Sequence, residues 1–388
     1  MHLVLPGGTI GMLGGGQLGR MSTFKAKQMG YNVVVFDPTP NSPCGQVADE
    51  QIVAKFDDGP ALHELAHKCD VITYEFENVD AQAVELLESL GKNVFPDSRV
   101  LKIAQNRWFE KEFLRDCGIG VADFLKVTHA ADLEVAAQQI GFPSLLKTTT
   151  GGYDGKGQVV LDNYEEALNA YKTLNHSNLI WEKKAPFIKE LSVICARNFN
   201  GEVVTYPATE NIHVENILDI SIAPADVSVK VQAEAKRMAR IIAEQLNLIG
   251  VCGVEMFLLP DETILVNEIA PRPHNSGHYT LDACICSQFE QHVRAICGLP
   301  LGSTELNAYA VMVNILGTGA GNCLGGLEDT LQNNPICFHL YGKKEAAAKR
   351  KMGHLTALSN HSAEEALQLA LEARKKLKWV KQNNQRIS

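Results

Sequence analysis

The chain has 388 residues, 45% of them hydrophobic and 21% charged, with a formal net charge of −9. That length suits two or three domains, and the composition is ordinary for a globular protein. The acidic balance argues against nucleic acid or an anionic membrane as the main partner, and no apolar run approaches the roughly 20 residues that a membrane helix needs.

The amino end lacks a basic leader and a long apolar stretch, so no secretion signal is expected. Ten cysteines without CxxC spacing read as reduced thiols of a cytoplasmic protein rather than as a disulfide framework or a zinc site. Over the first hundred residues, strands are predicted at 9–13, 32–36, 51–53 and 71–74. Helices are predicted between them at 18–29, 60–67 and 81–90. Such alternation implies a parallel sheet with helical crossovers. Gly14-Gly15-Gly16-Gln17-Leu18-Gly19 fits GxGxxG between a strand and a helix, and Asp37 closes the next strand. Taken alone, that fingerprint predicts an NAD-dependent dehydrogenase. No later segment looks like a hydride-transfer site, so the competing reading is a glycine loop that approaches some other substrate.

A turn-like break at Phe95-Pro96-Asp97 precedes a charged helical stretch at 107–115. Strands at 144–147 and 158–161 then flank Gly151-Gly152-Tyr153-Asp154-Gly155-Lys156-Gly157. A Walker loop runs from a strand into a helix. This one runs from strand to strand, so it reads as a flap whose backbone N–H groups approach phosphate oxygens while Lys147 adds a fixed charge; the alternative is a plain long hairpin. Further strands are predicted at 179–182, 191–197 and 203–206. The apolar spacing of Val231, Ala235, Met238, Ile242 and Leu246 predicts an amphipathic helix over 229–246. A final region after Leu299-Pro300 mixes strands with a charged helix, giving three α/β units.

Residues 253–259 and 263–268 read as a hairpin. With Asp261 and Glu262 as a two-residue turn, Pro260 pairs with Thr263, and Glu255 comes opposite Glu268. Two carboxylates so placed on apolar strands repel, so either one is protonated or a cation lies between them. Hard oxygen ligands suit Mg²⁺ arriving with substrate phosphates. The alternative is a solvated hairpin edge, and a one-residue slip would spoil the pairing. Near the carboxyl end, Lys343, Lys344, Lys349, Arg350 and Lys351 concentrate positive charge. They read either as a solvated face or as a site for a phosphate monoester.

GGGQLGRM at 14–21, TYEFENV at 73–79, KTTTGGYDGKGQ at 147–158, TENIH at 209–213, VNEIAPRPHNSGHYT at 266–280 and RKMGHL at 350–355 together resemble the ATP-grasp superfamily. Within it, they are most similar to the N5-carboxyaminoimidazole ribonucleotide synthetase family. The resemblance implies an α/β fold, α+β in parts, with a Rossmann-like pre-ATP-grasp domain at 1–106, an ATP-grasp domain at 107–299 and a small domain at 300–388. It implies ATP between two subdomains, with Arg107 and Lys147 near the phosphates and Gly152, Tyr153, Asp154, Gly155, Lys156, Gly157 and Gln158 folded over them. Glu182, Lys183, Lys184 and Ala185 would hold adenine by backbone contacts, Glu190 the ribose, with His213 and Asn267 beside the nucleotide and Glu255 and Glu268 on Mg²⁺. Asp154, Arg272, His274 and Lys343 would be catalytic. Tyr153, Lys156, Glu75, Gln17, Asn275, Arg350 and Lys351 would meet bicarbonate or 5-aminoimidazole ribonucleotide. Lys156 stands where many relatives carry Arg, which keeps the charge and loses bidentate contact.

The implied reaction carboxylates 5-aminoimidazole ribonucleotide through carboxyphosphate, in a cytoplasmic homodimer whose product passes to a mutase. Rival readings are a formate-dependent glycinamide ribonucleotide ligase, the dehydrogenase above and a catalytically silent nucleotide-binding subunit. Residues through Pro6 resemble nothing in the family and are expected to be disordered.

Overall fold

A computed structural model describes residues 3–152, 155–174, 178–332 and 335–381. The first unit is a four-stranded parallel sheet in the order Glu50–Ile52, Asn32–Phe36, Thr9–Leu13, Val71–Tyr74. The predicted alternation of strand and helix therefore holds. Its strands are almost wholly buried (Ile10, Leu13, Val33, Val35 and Ile72 among them) because helices cover both faces. Asp58, Asp80 and Asp97 each cap the helix that follows with a side-chain oxygen. Asp97 starts the helix Ser98–Ala104, which the sequence reading passed over as a break.

Disorder through Pro6 is not what the structure shows. Val4 is buried, its N–H donates to the Cys297 carbonyl and its own carbonyl accepts from the Tyr31 hydroxyl. Met1 and His2 lie outside the described residues.

A four-stranded antiparallel sheet follows, in the order Phe124–Val127, Leu179–Lys183, Ser144–Thr148, Gln158–Leu161. The central sheet has nine strands. It runs Ile264–Ala270, Gly250–Leu258, Lys189–Arg197, Thr209–Val214, Ile217–Ala223, Tyr309–Leu316, Lys351–Ser359, Ile336–Leu340, with Val203–Thr205 beside Lys189–Arg197. Strands of the last eighty residues thus extend this sheet instead of building a main sheet of their own. The predicted amphipathic helix spans Val229–Gln245, capped by Ser228, and buries Val231, Ala235, Met238 and Ile242 against the central sheet. Among the described residues, no helix is long and apolar enough to cross a membrane. All ten cysteines are free thiols.

Candidate active site

A cleft of about 460 Å³ opens where the antiparallel sheet, the central sheet and the end of the parallel sheet meet. One wall begins at Lys147, on the strand Ser144–Thr148. Lys147 Nζ lies 2.9 Å from Glu182 Oε2, and Lys111 Nζ lies 3.0 Å from Oε1 of the same carboxylate. All three side chains are buried. Burial pushes the Glu182 carboxyl up, but the two lysines outweigh it and hold it at about 2. One carboxylate shared by two ammonium groups leaves a surplus positive charge. Burial, opposed by Glu182 and reinforced by Lys111 and Arg107, lowers Lys147 from its ordinary value. Such a centre attracts an anion. Arg107 opens the helix Arg107–Asp116, capped by Asn106, and its N–H donates to the Thr149 carbonyl at the base of the flap.

The opposite wall is the hairpin Gly250–Leu258 with Ile264–Ala270. Glu255 does pair with Glu268, although not by the predicted count. The turn holds three residues, with the Leu259 N–H on the Thr263 carbonyl and Glu262 at φ 65. That shifts Met256, Phe257 and Leu258 onto Val266, Leu265 and Ile264. A bulge between Met256 and Glu255 makes Asn267 the extra residue and restores the pairing. The two departures cancel at the pair that matters.

The two carboxylates have unlike surroundings. Burial raises Glu255, but a hydrogen bond from His274, with His213 and Lys351 nearby, holds it at about 2. Burial and the charge of Glu255 push Glu268 above its ordinary value, against the pull of Arg107, whose guanidinium is 3.4 Å away. Two facing carboxylates, one destabilised by the other, are a donor set that a hard divalent cation relieves.

His274 Nε2 lies 3.2 Å from Glu255 Oε1, and its Nδ1 accepts from the Ser276 N–H. The Ser192 hydroxyl donates to Ser276 Oγ, which leaves the Ser276 hydroxyl proton for His274 Nδ1 at 2.9 Å. The chain of donors therefore fixes the Nε2 proton on Glu255. Arg272 is gripped by Glu77, whose carboxyl is raised by burial but brought to about 2 by Arg272. Glu110, buried under Glu268 and accepting from the Ile269 N–H at 2.6 Å, is pushed up to about 8 by burial and by the Glu268 charge. His213 sits 2.7 Å from Glu190; burial lowers it, and the Glu190 contact more than restores it, so it is raised.

Most of the predicted site residues come together here. Arg107, Lys147, Gly152, Gly155, Lys156, Gln158, Glu182, Lys183, Lys184, Ala185, Glu190, His213, Glu255, Asn267, Glu268, Arg272, His274, Asn275 and Lys351 all line the cleft. Two carry their side chains elsewhere. Lys183 Nζ binds the carbonyls of Ile140 and Phe142, and the Asn275 amide exchanges hydrogen bonds with Asn314. Gly157 is off the lining; its carbonyl accepts from Thr148 at the flap base. Tyr153 and Asp154 lie outside the described residues.

Gln17, Glu75, Lys343 and Arg350 are also off the cleft lining; Glu75 binds the glycine loop that leads into Gln17, and Lys343 lies within the field of both Glu75 and Arg350. Lys343 Nζ donates to the Lys351 carbonyl, which ties this second group to the cleft wall. Burial, Arg350 and Lys351 push the Lys343 ammonium down to about 8, against the pull of Glu75.

The dinucleotide reading fails on local chemistry. Asp37 Oδ2 accepts from the Gly15 N–H and Oδ1 from Thr39, so the acid that would hold a ribose is already spent. Glu75 accepts from the Gly16 and Gly19 N–H groups, placing a carboxylate where a pyrophosphate would sit. Gly15 and Gly16 are needed for packing, since a Cβ would strike Ser42 and Glu75.

Sequence reasoning missed Glu77, Glu110, Lys111, Asn216 and the stacked rings of Phe187 and Phe257, 4.6 Å apart. Glu77 lay inside a quoted motif and could have been found. Lys111, in a charged helix, looks like any surface lysine.

Comparison with known proteins matches three family models in chain order. They are the ribonucleotide synthetase preATP-grasp domain at 8–105, the ATP-grasp domain at 112–289 and the phosphoribosylaminoimidazole carboxylase C-terminal domain at 310–368. The chain is 48% identical over 356 residues to the N5-carboxyaminoimidazole ribonucleotide synthase of Bacillus subtilis, covering 92% of each. It resembles the crystal structure of the synthetase from Thermotoga maritima at 44% identity and TM-score 0.88, over 97% of this chain and 100% of that one. It also resembles the Aspergillus clavatus enzyme in complex with ADP and 5-aminoimidazole ribonucleotide, at 35% identity and TM-score 0.87, over 95% and 99%.

Proposed function

The chain belongs to the N5-carboxyaminoimidazole ribonucleotide synthases, ATP-dependent ligases of the ATP-grasp fold, and from that membership we infer that it carboxylates 5-aminoimidazole ribonucleotide at the expense of ATP. The observation that carries this reading is the cleft itself, where the facing pair Glu255 and Glu268 lies across from the surplus positive charge of Lys147, Lys111 and Arg107.

The finer roles are part of the same proposal. ATP lies in the cleft, its phosphates toward Lys147 and Arg107 and its base toward Phe187, Phe257 and the backbone of Glu182 to Ala185. Glu255 and Glu268 would hold Mg²⁺, which would supply charge neutralisation at the phosphates. A bicarbonate oxygen attacks the γ-phosphorus and the bond to the bridging oxygen breaks, giving carboxyphosphate and ADP. Carboxyphosphate separates into CO₂ and phosphate; the exocyclic amine of the ribonucleotide adds to the CO₂ carbon and releases a proton. Arg272, aimed by Glu77, and His274, aimed by Ser276, orient the bicarbonate. Lys343, Arg350 and Lys351 take the ribonucleotide phosphate, with Glu75, Gln17 and Asn275 near the ring. Asp154 accepts the amine proton, and Tyr153, Lys156 and the flap glycines exclude water from the labile intermediate. The reading extends to domains at 1–106, 107–299 and 300–388 and to a cytoplasmic homodimer that passes its product to a mutase.

ADP release tests the assignment. It should require both bicarbonate and 5-aminoimidazole ribonucleotide for full rate. Release that depends instead on formate, or an absorbance change from a nicotinamide cofactor, would replace it.

A further inference from the structure

Outside the cleft, the antiparallel strands Ile336–Leu340 and Lys351–Ser359 set His339 opposite His354 and Cys337 opposite Thr356. Residues two apart on a strand share a face, as do residues directly opposed. Cys337, His339 and His354 therefore face the same way. The two imidazoles stack, with centroids 4.6 Å apart and planes 17° apart.

Asp282, on the short helix Thr280–Ala283, meets this face. Its oxygens lie 3.1 and 3.0 Å from His339 Nε2, and its charge reaches the Cys337 thiol. One donor atom from each of Asp282, His339 and His354 falls within 4.8 Å of the others, with Cys337 on the same face just outside that group.

His354 supplies an independent observation. It is fully buried; Nδ1 is 2.8 Å from the Tyr341 hydroxyl, while Nε2 is buried with no hydrogen-bond partner. An orphaned polar atom of this kind is costly unless something binds it. Burial, with His278 and His339 alongside, keeps the ring well below the ordinary histidine range; neutral imidazole is the form that ligates a metal.

We propose that Asp282, Cys337, His339 and His354 form a binding site for a divalent transition metal of the zinc class, separate from the magnesium site of the cleft. Two imidazoles, a carboxylate and a thiol make a mixed N, O and S donor set, which suits Zn²⁺ with its four ligands at about 2.0–2.3 Å and does not suit Mg²⁺. Tyr341 on His354 Nδ1 is the kind of outer partner that orients a ligating histidine. Metal binding displaces the thiol proton of Cys337 to solvent and draws the ligands inward. No spacing in the sequence announces the site, because three ligands meet only through strand register and the fourth through a separate helix. The site would staple the strand that leads through Tyr341 to Lys343 onto the helix that follows Asn275–Gly277. It depends on none of the roles assigned in the cleft.

Cobalt titration of chelator-stripped, full-length protein in saturating Mg²⁺ tests this. The expected result is one equivalent of Co²⁺ bound with thiolate-to-cobalt charge-transfer absorption. No described residue lining the cleft is a cysteine, so the band cannot arise from the cleft, and its loss in Cys337→Ser assigns it to this site. Cys337→Ser should abolish the band with an unchanged circular dichroism spectrum, and His339→Gln should weaken Zn²⁺ affinity at least ~10-fold. Absence of the band, its survival in Cys337→Ser, or equal Zn²⁺ affinity in folded His339→Gln would overturn the proposal.

Discussion

Residues 14–19 and 151–157 are both glycine loops that follow a strand, and by composition either could cradle a phosphate. Their surroundings separate them. In the first, the N–H groups of Gly15, Gly16 and Gly19 are taken by the carboxylates of Asp37 and Glu75. In the second, Gly151, Gly152, Gly155 and Lys156 line the cleft, above Lys147 and across from Glu268. A glycine motif states that backbone approaches something closely; the charge waiting there decides what. Carboxylates beside the first loop occupy its N–H groups, and ammonium groups beneath the second suit it to an anion such as a phosphate.

That contrast can be broken by substitution. The largest effect is expected from Glu268→Gln, which leaves the fold intact and lowers the rate of ADP release by at least ~10²-fold, the several kcal/mol of transition-state stabilisation that a metal ion supplies. Near-normal turnover would remove the pair from the metal site. Gly155→Val should follow. Its φ is +77, and a Cβ would meet the Asn216 side chain, so the flap should fail to seat and the KM for ATP should rise ~10-fold or more. An unchanged KM for ATP would make the flap a plain hairpin.

Glu77→Gln should lower kcat/KM for bicarbonate ~10-fold while leaving the KM for ATP within about twofold, because it loosens only Arg272. Equal effects on both substrates would reduce Glu77 to a structural role. Lys343 gives a smaller, pH-dependent signal. Its ammonium is held at about 8, so the charge is present below that pH and lost above it. The KM for ribonucleotide should therefore rise several-fold as pH passes upward through that value, and Lys343→Arg, whose charge persists, should flatten the rise. A rise that survives in Lys343→Arg would point to another group. The smallest effect belongs to the first loop. Asp37→Asn should cost about 0.5–1.5 kcal/mol of stability, one hydrogen bond's worth, and leave kcat unchanged; a large loss of kcat would mean that Asp37 itself serves the reaction.

Much of this was legible in the residues. Period and turn chemistry placed the parallel sheet within a residue or two, since buried strands between capped helices leave a strong pattern. The pairing of Glu255 with Glu268 was also reached, though by luck, because a longer turn and a bulge cancel. Three things were out of reach for physical reasons. Lys111 and Glu182 become a charged centre only when a helix and a strand far apart in the chain are packed together. Asn275 stands on a motif position, yet its side chain is spent on Asn314. Val4 looked like a loose end because its anchor, Cys297, is nearly 300 residues away.

Oxygen-labelled bicarbonate offers the most direct test of the central claim, that the cleft transfers a phosphoryl group from ATP to bicarbonate. With ¹⁸O-bicarbonate, ATP and 5-aminoimidazole ribonucleotide, the phosphate released should carry one ¹⁸O, because the attacking oxygen stays on phosphorus when CO₂ leaves. Phosphate free of label, with carboxylated product still formed, would contradict the account.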